Sequence, residues 1–373
     1  MVEAVLEQMR AVAADPAGYL RRRRAEDGLR VVGYFCTYVQ EELLHAAGLL
    51  PARIFGHTGN TSHADSHISS FACAFVRGCL EAALRGELDH LDAVVFPRSC
   101  DMIRALQDVW ASAVGQRYYA INMPLVLSAP GARGFLLKEL AAFKAWAEKQ
   151  GGRRISATRL RATLAVYHRQ RQLLGELYEL RYTGTLDVNS ADTYTVVKAG
   201  MIMPREEHVR ALEQLLAEAR PGAVDGDYVP VVLDGNVCTS SVLHALIDRL
   251  GGRVVDDNLC VGRRYFADSL APTNEPPLVI LGQRSFRRIP CPCNHAEVRR
   301  RSDALLALVR GRNARGVIFL FQRFCHPHYF EYPDLRDRLD REGIPHLVLE
   351  TGEEKEGLGQ AETRLQAFLE MIQ

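Results

Sequence analysis

The sequence has no excess of either charge: 46 Lys and Arg stand against 45 Asp and Glu, a net +1 over 373 residues. A chain without a long-range field has no grip on polyanions, which argues against a nucleic-acid partner. Its one basic cluster, Arg21 to Arg24, reads as the solvated end of an N-terminal helix. No stretch approaches the roughly 18 apolar residues of a membrane-spanning helix. The opening MVEAVLEQMRAVAADPAGYL is acidic where a signal peptide needs a basic and then an apolar region. A cytoplasmic protein with no membrane contact is expected. Also missing are G-x-G-x-x-G after the first strand, G-x-x-x-x-G-K-[ST] and G-x-S-x-G, so dinucleotide binding, phosphate-loop hydrolysis and esterase chemistry lack their signatures.

The nine cysteines contain no C-x-x-C pair. An odd count in a reducing compartment argues against a disulfide set. Cys291 and Cys293, in PCPCNH, are too close for the usual zinc knuckle, which separates its cysteines by about two to four residues. The compact ferredoxin pattern is absent as well, so any iron–sulfur cluster has to be assembled from distant segments, in a cleft between domains.

What is present is an ordinary globular balance, 47% hydrophobic and 24% charged. At roughly 100–200 residues per domain the length points to two domains. After a helical segment over 1–30, strands and helices alternate: VVGYF (31–35), a helix through QEELLHAAG, ARIFG (52–56), a loop, the helix SSFACAFVRGCLEAALRG, DAVVF (92–96), the helix MIRALQDVW and YYAIN. Such alternation predicts a parallel sheet covered on both faces, a first α/β domain over 31–132. From 133 to 227 the pattern is that of long amphipathic helices, a helical insert. Alternation resumes over 228–373 with VPVVLDG, RVVDD, a weaker strand LVILG, a helix around Arg300 to Arg310, GVIFLF, the helix PDLRDRLDREG, HLVLE and a closing helix TRLQAFLEMI. Strand starts at 31 and 52 are matched by 231 and 253, which predicts two doubly wound domains related by pseudo-symmetry.

Cys100 follows a strand and opens a helix, and Cys325, in RFCHPHYFEYPDL, holds the equivalent place in the second half. In an open parallel sheet ligands sit at the carboxyl ends of strands, and a helix N-terminus favours a thiolate. Both are therefore candidate ligands. Cys73 or Cys79 is a candidate third. Six residues turn a helix by about 600°, a net of roughly 240°, so only one of the two can face the site, and position alone does not choose. His326 and His328 flank Cys325 as candidate donors to a bound group.

The segments VVGYFCTYVQEELLHAAGLLPARIFG, FACAFVRGCL, FPRSCDMIRALQDVW, VVDDNLCVGRRYF and RFCHPHYFEYPDLRDRL, in this order, resemble the family of 2-hydroxyacyl-CoA dehydratase and benzoyl-CoA reductase cluster subunits. The likeness runs from about Asp15 to the C-terminal helix. ADPAGY and VGYFCTYV look most like the smaller cluster-bearing subunit of ATP-dependent benzoyl-CoA reductase. The resemblance implies two flavodoxin-like domains and a [4Fe-4S] cluster on Cys73, Cys100 and Cys325, with a non-protein ligand on the fourth iron. It also implies a sister cluster subunit, an activator ATPase with its own [4Fe-4S] cluster, and ferredoxin or flavodoxin as upstream donor. The implied activity is delivery of low-potential single electrons to an aromatic acyl-CoA thioester. The alternatives are a 2-hydroxyacyl-CoA dehydratase subunit, in which a ketyl radical eliminates water, and a non-catalytic scaffold subunit. Gln40 stands where the family commonly has Pro, and His326 where it commonly has Asp; a neutral or cationic neighbour in place of an anion should raise the cluster's potential. Cys36, Thr37 and Tyr38, at the end of the first strand and leading into a helix, are the expected substrate contacts, whose amides could polarise a thioester carbonyl.

Overall fold

The computed structural model describes residues 2–220, 228–268, 273–289, 291–351 and 358–373. The chain begins with helices α1 (Val2–Ala14) and α2 (Pro16–Asp27). Asp15 caps α2 by accepting from the Gly18 amide, Pro16 starts it, and Gly28 at φ 64 stops it. The first α/β unit follows as β1 (Val31–Tyr34), α3 (Glu41–Ala46), β2 (Leu50–Arg53), α4 (Ser62–Asp65), α5 (Ala74–Leu84), β3 (Ala93–Arg98), α6 (Asp101–Val109) and β4 (Tyr118–Asn122). Four helices come next: α7 (Ala132–Gly151), α8 (Ala157–Tyr182), α9 (Ser190–Gly200) and α10 (Arg205–Leu216). The second unit comprises β5 (Val229–Gly235), α11 (Val242–Arg249), β6 (Gly252–Asn258), α12 (Arg263–Phe266), α13 (Pro277–Arg287), α14 (Val298–Gly311), β7 (Gly316–Gln322), α15 (His326–Arg341), β8 (His346–Thr351) and α16 (Leu358–Met371).

The two sheets have the same order, β2-β1-β3-β4 and β6-β5-β7-β8, and every pairing is parallel. This is the flavodoxin-like winding expected from the sequence. Helices cover both faces, which is why β1 and β7 are fully buried along their whole length. One hydrophobic core joins the two units: Val31, Val94 and Phe96 of the first sheet belong to the same cluster as Val231, Leu233, Ile318 and Leu320 of the second. Around it α1 is tied to α9 by Arg10–Asp192 and α2 to α10 by Arg23–Glu207. On the other face of the first sheet, Phe143 and Trp146 of α7 pack on the ring of Tyr119 of β4. Among the described residues no helix is long and apolar enough to cross a membrane.

Three local expectations are corrected. LVILG is not a strand: residues 278–282 lie inside α13, which starts at a proline and buries Pro277, then Ile280, Leu281 and Gly282, then Arg284 and Ser285, groups recurring about once per helical turn. The apolar tetrad alone looks like a strand, but its flanks carry the helical period. Second, α5 starts at Ala74 rather than at Ser69, so Cys73 is the extended residue before the helix and Cys79 lies within it. Third, α15 begins directly after Cys325 and runs through Pro333 instead of starting there.

Candidate metal centre

In a 2-1-3-4 sheet the crevice opens where the winding reverses, at the carboxyl ends of the two central strands. Cys100 follows β3 by two residues and Cys325 follows β7 by three, so each domain offers one cysteine at its reversal point. The connection after β2 delivers Cys73. These three line one cavity of about 270 Å³ between the domains, together with Cys293, His326 and the apolar side chains of Leu125 and Phe330.

Each of the three is the N-cap of a helix: Cys73 of α5, Cys100 of α6 and Cys325 of α15, and none uses its sulfur as a cap. The sulfurs are thus left for the cavity, while the helix ends offer partial positive charge. Amides of the first turn aid this, Val76 and Phe75 towards Cys73 and Ile103 and Met102 towards Cys100. Burial wins nonetheless at Cys73, whose thiol is pushed up to about 12, with the neighbouring Cys100 adding to the rise. Cys325 is raised well above its ordinary value by burial and by Cys73. Thiols so buried would become thiolates only when a cation seated among them displaced their protons, and a metal centre would supply that cation.

The backbone is strained where it delivers Cys325: Phe324 has φ 65, a left-handed conformation costly for a bulky residue. Phe71 packs edge-on against Phe324. Below, a Cβ at Gly235 of β5 would stand 2.0 Å from the Leu320 carbonyl oxygen of β7, so only glycine permits this close approach under the crevice. The next residue, Asn236, accepts from the Gln322 amide at 3.0 Å and also reaches Cys325.

Of the two flanking histidines, His326 lines the cavity and His328 is buried, its Nδ1 3.3 Å from Cys325 Sγ. Burial, with Arg264 nearby, drives the His328 imidazole well below its ordinary value, so it stands neutral beside the sulfur. Cys79 is fully buried within α5 and is not part of the cavity wall.

Cys36, Thr37 and Tyr38 do not line this cavity. Thr37 is buried, and both its hydroxyl and its carbonyl accept from Arg288 at 2.8 Å. The Tyr38 hydroxyl donates to Asn294 Oδ1 at 2.7 Å and accepts from the Cys291 amide at 2.9 Å. Burial pushes the Cys36 thiol up to about 11. Gln40 precedes α3, its Nε2 donating to Ser285 Oγ at 3.2 Å.

Sequence reasoning missed Cys293. It lines the cavity with Cys73, Cys100 and Cys325, and its sulfur accepts from the Cys291 thiol, Sγ–Sγ 3.7 Å. The one-residue spacing rules out clasping a single ion, but says nothing of each cysteine serving separately.

Among the described residues no group of three or more His, Cys, Asp or Glu side chains is disposed to hold a single metal ion. The donor set fits a larger group: all-sulfur ligands, from three separate elements, set around a cavity instead of touching one point. That is the chemistry of an iron–sulfur cluster.

Among known proteins, the chain is 27% identical to the lactoyl-CoA dehydratase subunit beta of Anaerotignum propionicum over 373 residues, covering all of this chain and 99% of that protein. It is 29% identical to a benzoyl-CoA reductase subunit of Thauera aromatica over 338 residues, 89% of this chain and 88% of the relative. With the (R)-2-hydroxyglutaryl-CoA dehydratase subunit beta of Acidaminococcus fermentans the identity is 27%, over the full length of both. The model of the family described as 2-hydroxyglutaryl-CoA dehydratase, D-component, matches residues 36–372, and the chain belongs to that family.

Proposed function

We propose that this chain is the [4Fe-4S] subunit of a benzoyl-CoA reductase-like enzyme, delivering low-potential single electrons to an aromatic acyl-CoA thioester and so yielding a dienoyl-CoA. The observation that carries the reading is the convergence of Cys73, Cys100 and Cys325, each at the start of a helix and drawn from both domains, on one cavity. These three would hold the cluster, which when bound supplies single electrons at low potential. The chain's own part is to hold the centre fixed. Cys73 is buried, His328 stands neutral against Cys325, and the two sheets lock the helix starts in place.

Being a relative of oxidoreductase and lyase subunits, the chain is read as one subunit of such an enzyme. A sister subunit, an activator ATPase and a ferredoxin or flavodoxin donor complete the proposal. Phe330 and Phe71, 74% and 68% exposed and both next to the cysteine-bearing segments, suit a surface that a partner covers. The second reading, a 2-hydroxyacyl-CoA dehydratase subunit eliminating water, is favoured by the full-length likeness to the lactoyl-CoA and 2-hydroxyglutaryl-CoA enzymes.

Anaerobic purification with iron and sulfide analysis and electron paramagnetic resonance tests the centre. About four irons per chain are expected; stoichiometric zinc without iron would refute it. Assaying the assembled enzyme with benzoyl-CoA against 2-hydroxyacyl-CoA thioesters separates the two activities.

A further inference from the structure

Cys291, Pro292, Cys293 and Asn294 make a tight turn between α13 and α14, closed by the Asn294 amide donating to the Cys291 carbonyl at 2.8 Å. Proline suits the second position of such a turn, because its ring fixes φ there. The turn is held from both domains. On one side Asn294 Nδ2 donates to the Pro124 and Leu125 carbonyls at 3.1 and 2.9 Å, and the Tyr38 hydroxyl bridges Asn294 Oδ1 and the Cys291 amide. On the other, Arg301 of α14 donates to the Asn294 and Cys291 carbonyls at 2.9 and 3.2 Å. These anchors fall on the backbone and on the Asn294 amide, and none of them uses a sulfur.

Across the turn the Cys291 and Cys293 sulfurs meet at 3.7 Å, both as free thiols and both half-buried. Successive Cα atoms lie about 3.8 Å apart, so a right-angled bend sets the first and third about 5.4 Å apart, inside the roughly 4.4–6.8 Å that a disulfide spans. Rotation about the two Cα–Cβ bonds then carries the sulfurs from contact to bonding distance while the backbone keeps its anchors. A bond closing so short a loop constrains the unfolded chain little, which leaves it easily reduced again. Disulfides in reducing compartments are of this transient kind.

We propose that Cys291 and Cys293 are a redox-active pair, oxidised to a reversible disulfide by small disulfides of the oxidised-glutathione class. The Cys291 thiolate, whose sulfur is not part of the cavity wall, attacks one sulfur of the small disulfide; the S–S bond breaks and one thiolate leaves. Cys293 then gives up its proton and displaces the second. Two electrons pass from the cysteine sulfurs to the small disulfide, which departs as two thiols carrying the two cysteine protons. Because Cys293 lines the cavity, the new bond draws a sulfur off that wall, and the shape of the wall follows the thiol poise around the protein. The step uses no metal and stands apart from the cluster reading.

The experiment uses the full chain, purified anaerobically and equilibrated with mixtures of reduced and oxidised glutathione. Each sample is quenched in acid, unfolded, blocked with N-ethylmaleimide and mapped by mass spectrometry without reduction. As the mixture becomes more oxidising, wild type is expected to yield the peptide spanning 291–293 unblocked at both sulfurs and lighter by two hydrogens, and dithiothreitol is expected to restore the doubly blocked form. Cys79, buried with no exposure, is expected to stay blocked throughout. Cys293→Ser is expected to retain one glutathione on Cys291, because the thiol that would expel it is gone. Blocking of both Cys291 and Cys293 across every mixture would overturn the proposal. So would a glutathione that persists on either cysteine of wild type, or a bond from Cys293 to Cys100 in place of Cys291. Wild type alone decides these outcomes, so the result does not hang on the folding of any variant.

Discussion

The hydroxyl of Tyr38 and the amide side chain of Asn294, 256 residues apart in sequence, meet at 2.7 Å in the buried seam between the two domains. The bond is one of two made by that hydroxyl, the other being to the Cys291 amide. Tyr38→Phe strips both at once and leaves a buried N–H without its acceptor. The expected loss of stability is about 1–3 kcal/mol. The loop carrying Cys293 should also loosen, so iron should leave the variant faster than wild type under a chelator such as bathophenanthroline. Unchanged melting and unchanged iron release would show that the seam does not depend on this contact.

Replacing Cys73, Cys100 or Cys325 by Ser should cost most of the bound iron, because each is the only thiol its helix start presents to the cavity. Cys79→Ser should keep the iron. Its cost is in stability, about 1–3 kcal/mol, since a hydroxyl there is buried with no exposure. Iron and sulfide analysis together with a thermal melt, both under nitrogen, read the two effects. Bleaching by Cys79→Ser with retention in Cys73→Ser would reverse the assignment.

The fold was largely legible because its strands are buried on both faces: GVIFLFQ and VPVVLDG cannot be amphipathic helices, and the turns around them are marked. LVILG misled because its period shows only over the longer span from Pro277 to Arg287. For the site, strand–Cys–helix order was enough to mark Cys100 and Cys325. The choice between Cys73 and Cys79 turns on where α5 starts, at Ala74 and not at Ser69, a boundary that local pattern does not fix. Cys293 was hidden for a deeper reason. Its position is set by Tyr38, Pro124 and Leu125, contacts from two distant segments that no local window contains, together with Arg301 of the following helix.

Glu42 of α3 and Arg171 of α8 form a fully buried ion pair at 2.5 Å. Burial alone would raise the Glu42 carboxyl, but the Arg171 guanidinium, with Arg284 nearby, holds it below the usual range. Glu42→Leu leaves Arg171 charged and unpaired, and should cost about 3–5 kcal/mol. Adding Arg171→Met should recover a large part of that loss, because two apolar side chains need no mutual compensation. Urea unfolding of the single and double variants measures both. A double variant that is the sum of its parts would mean that the pair is not coupled.

His208 is packed with no exposure between α8 and α9, its Nδ1 accepting from Gln170 Nε2 at 3.0 Å and its Nε2 donating to the Val196 carbonyl at 2.9 Å. Both ring nitrogens are thus satisfied in the neutral form. Burial, with the Arg205 charge adding to it, pushes the imidazole down to about 3, although the Val196 carbonyl pulls the other way. In the unfolded chain the same ring titrates near 6.5. Between those values the unfolded state binds a proton that the folded state refuses, so stability falls as pH falls, starting near 6.5 and continuing towards 3. From pH 7 to pH 5 this one residue should cost about 2 kcal/mol. His244, also buried and pushed to about 3 chiefly by burial, adds a similar slope. The expected result is that His208→Gln is less stable than wild type at pH 7, for want of the paired ring, but loses less on going to pH 5. The remaining slope is expected from His244. Parallel melting curves for wild type and His208→Gln across that range would mean that His208 is already charged in the folded protein, and that it does not sit neutral between Gln170 and Val196.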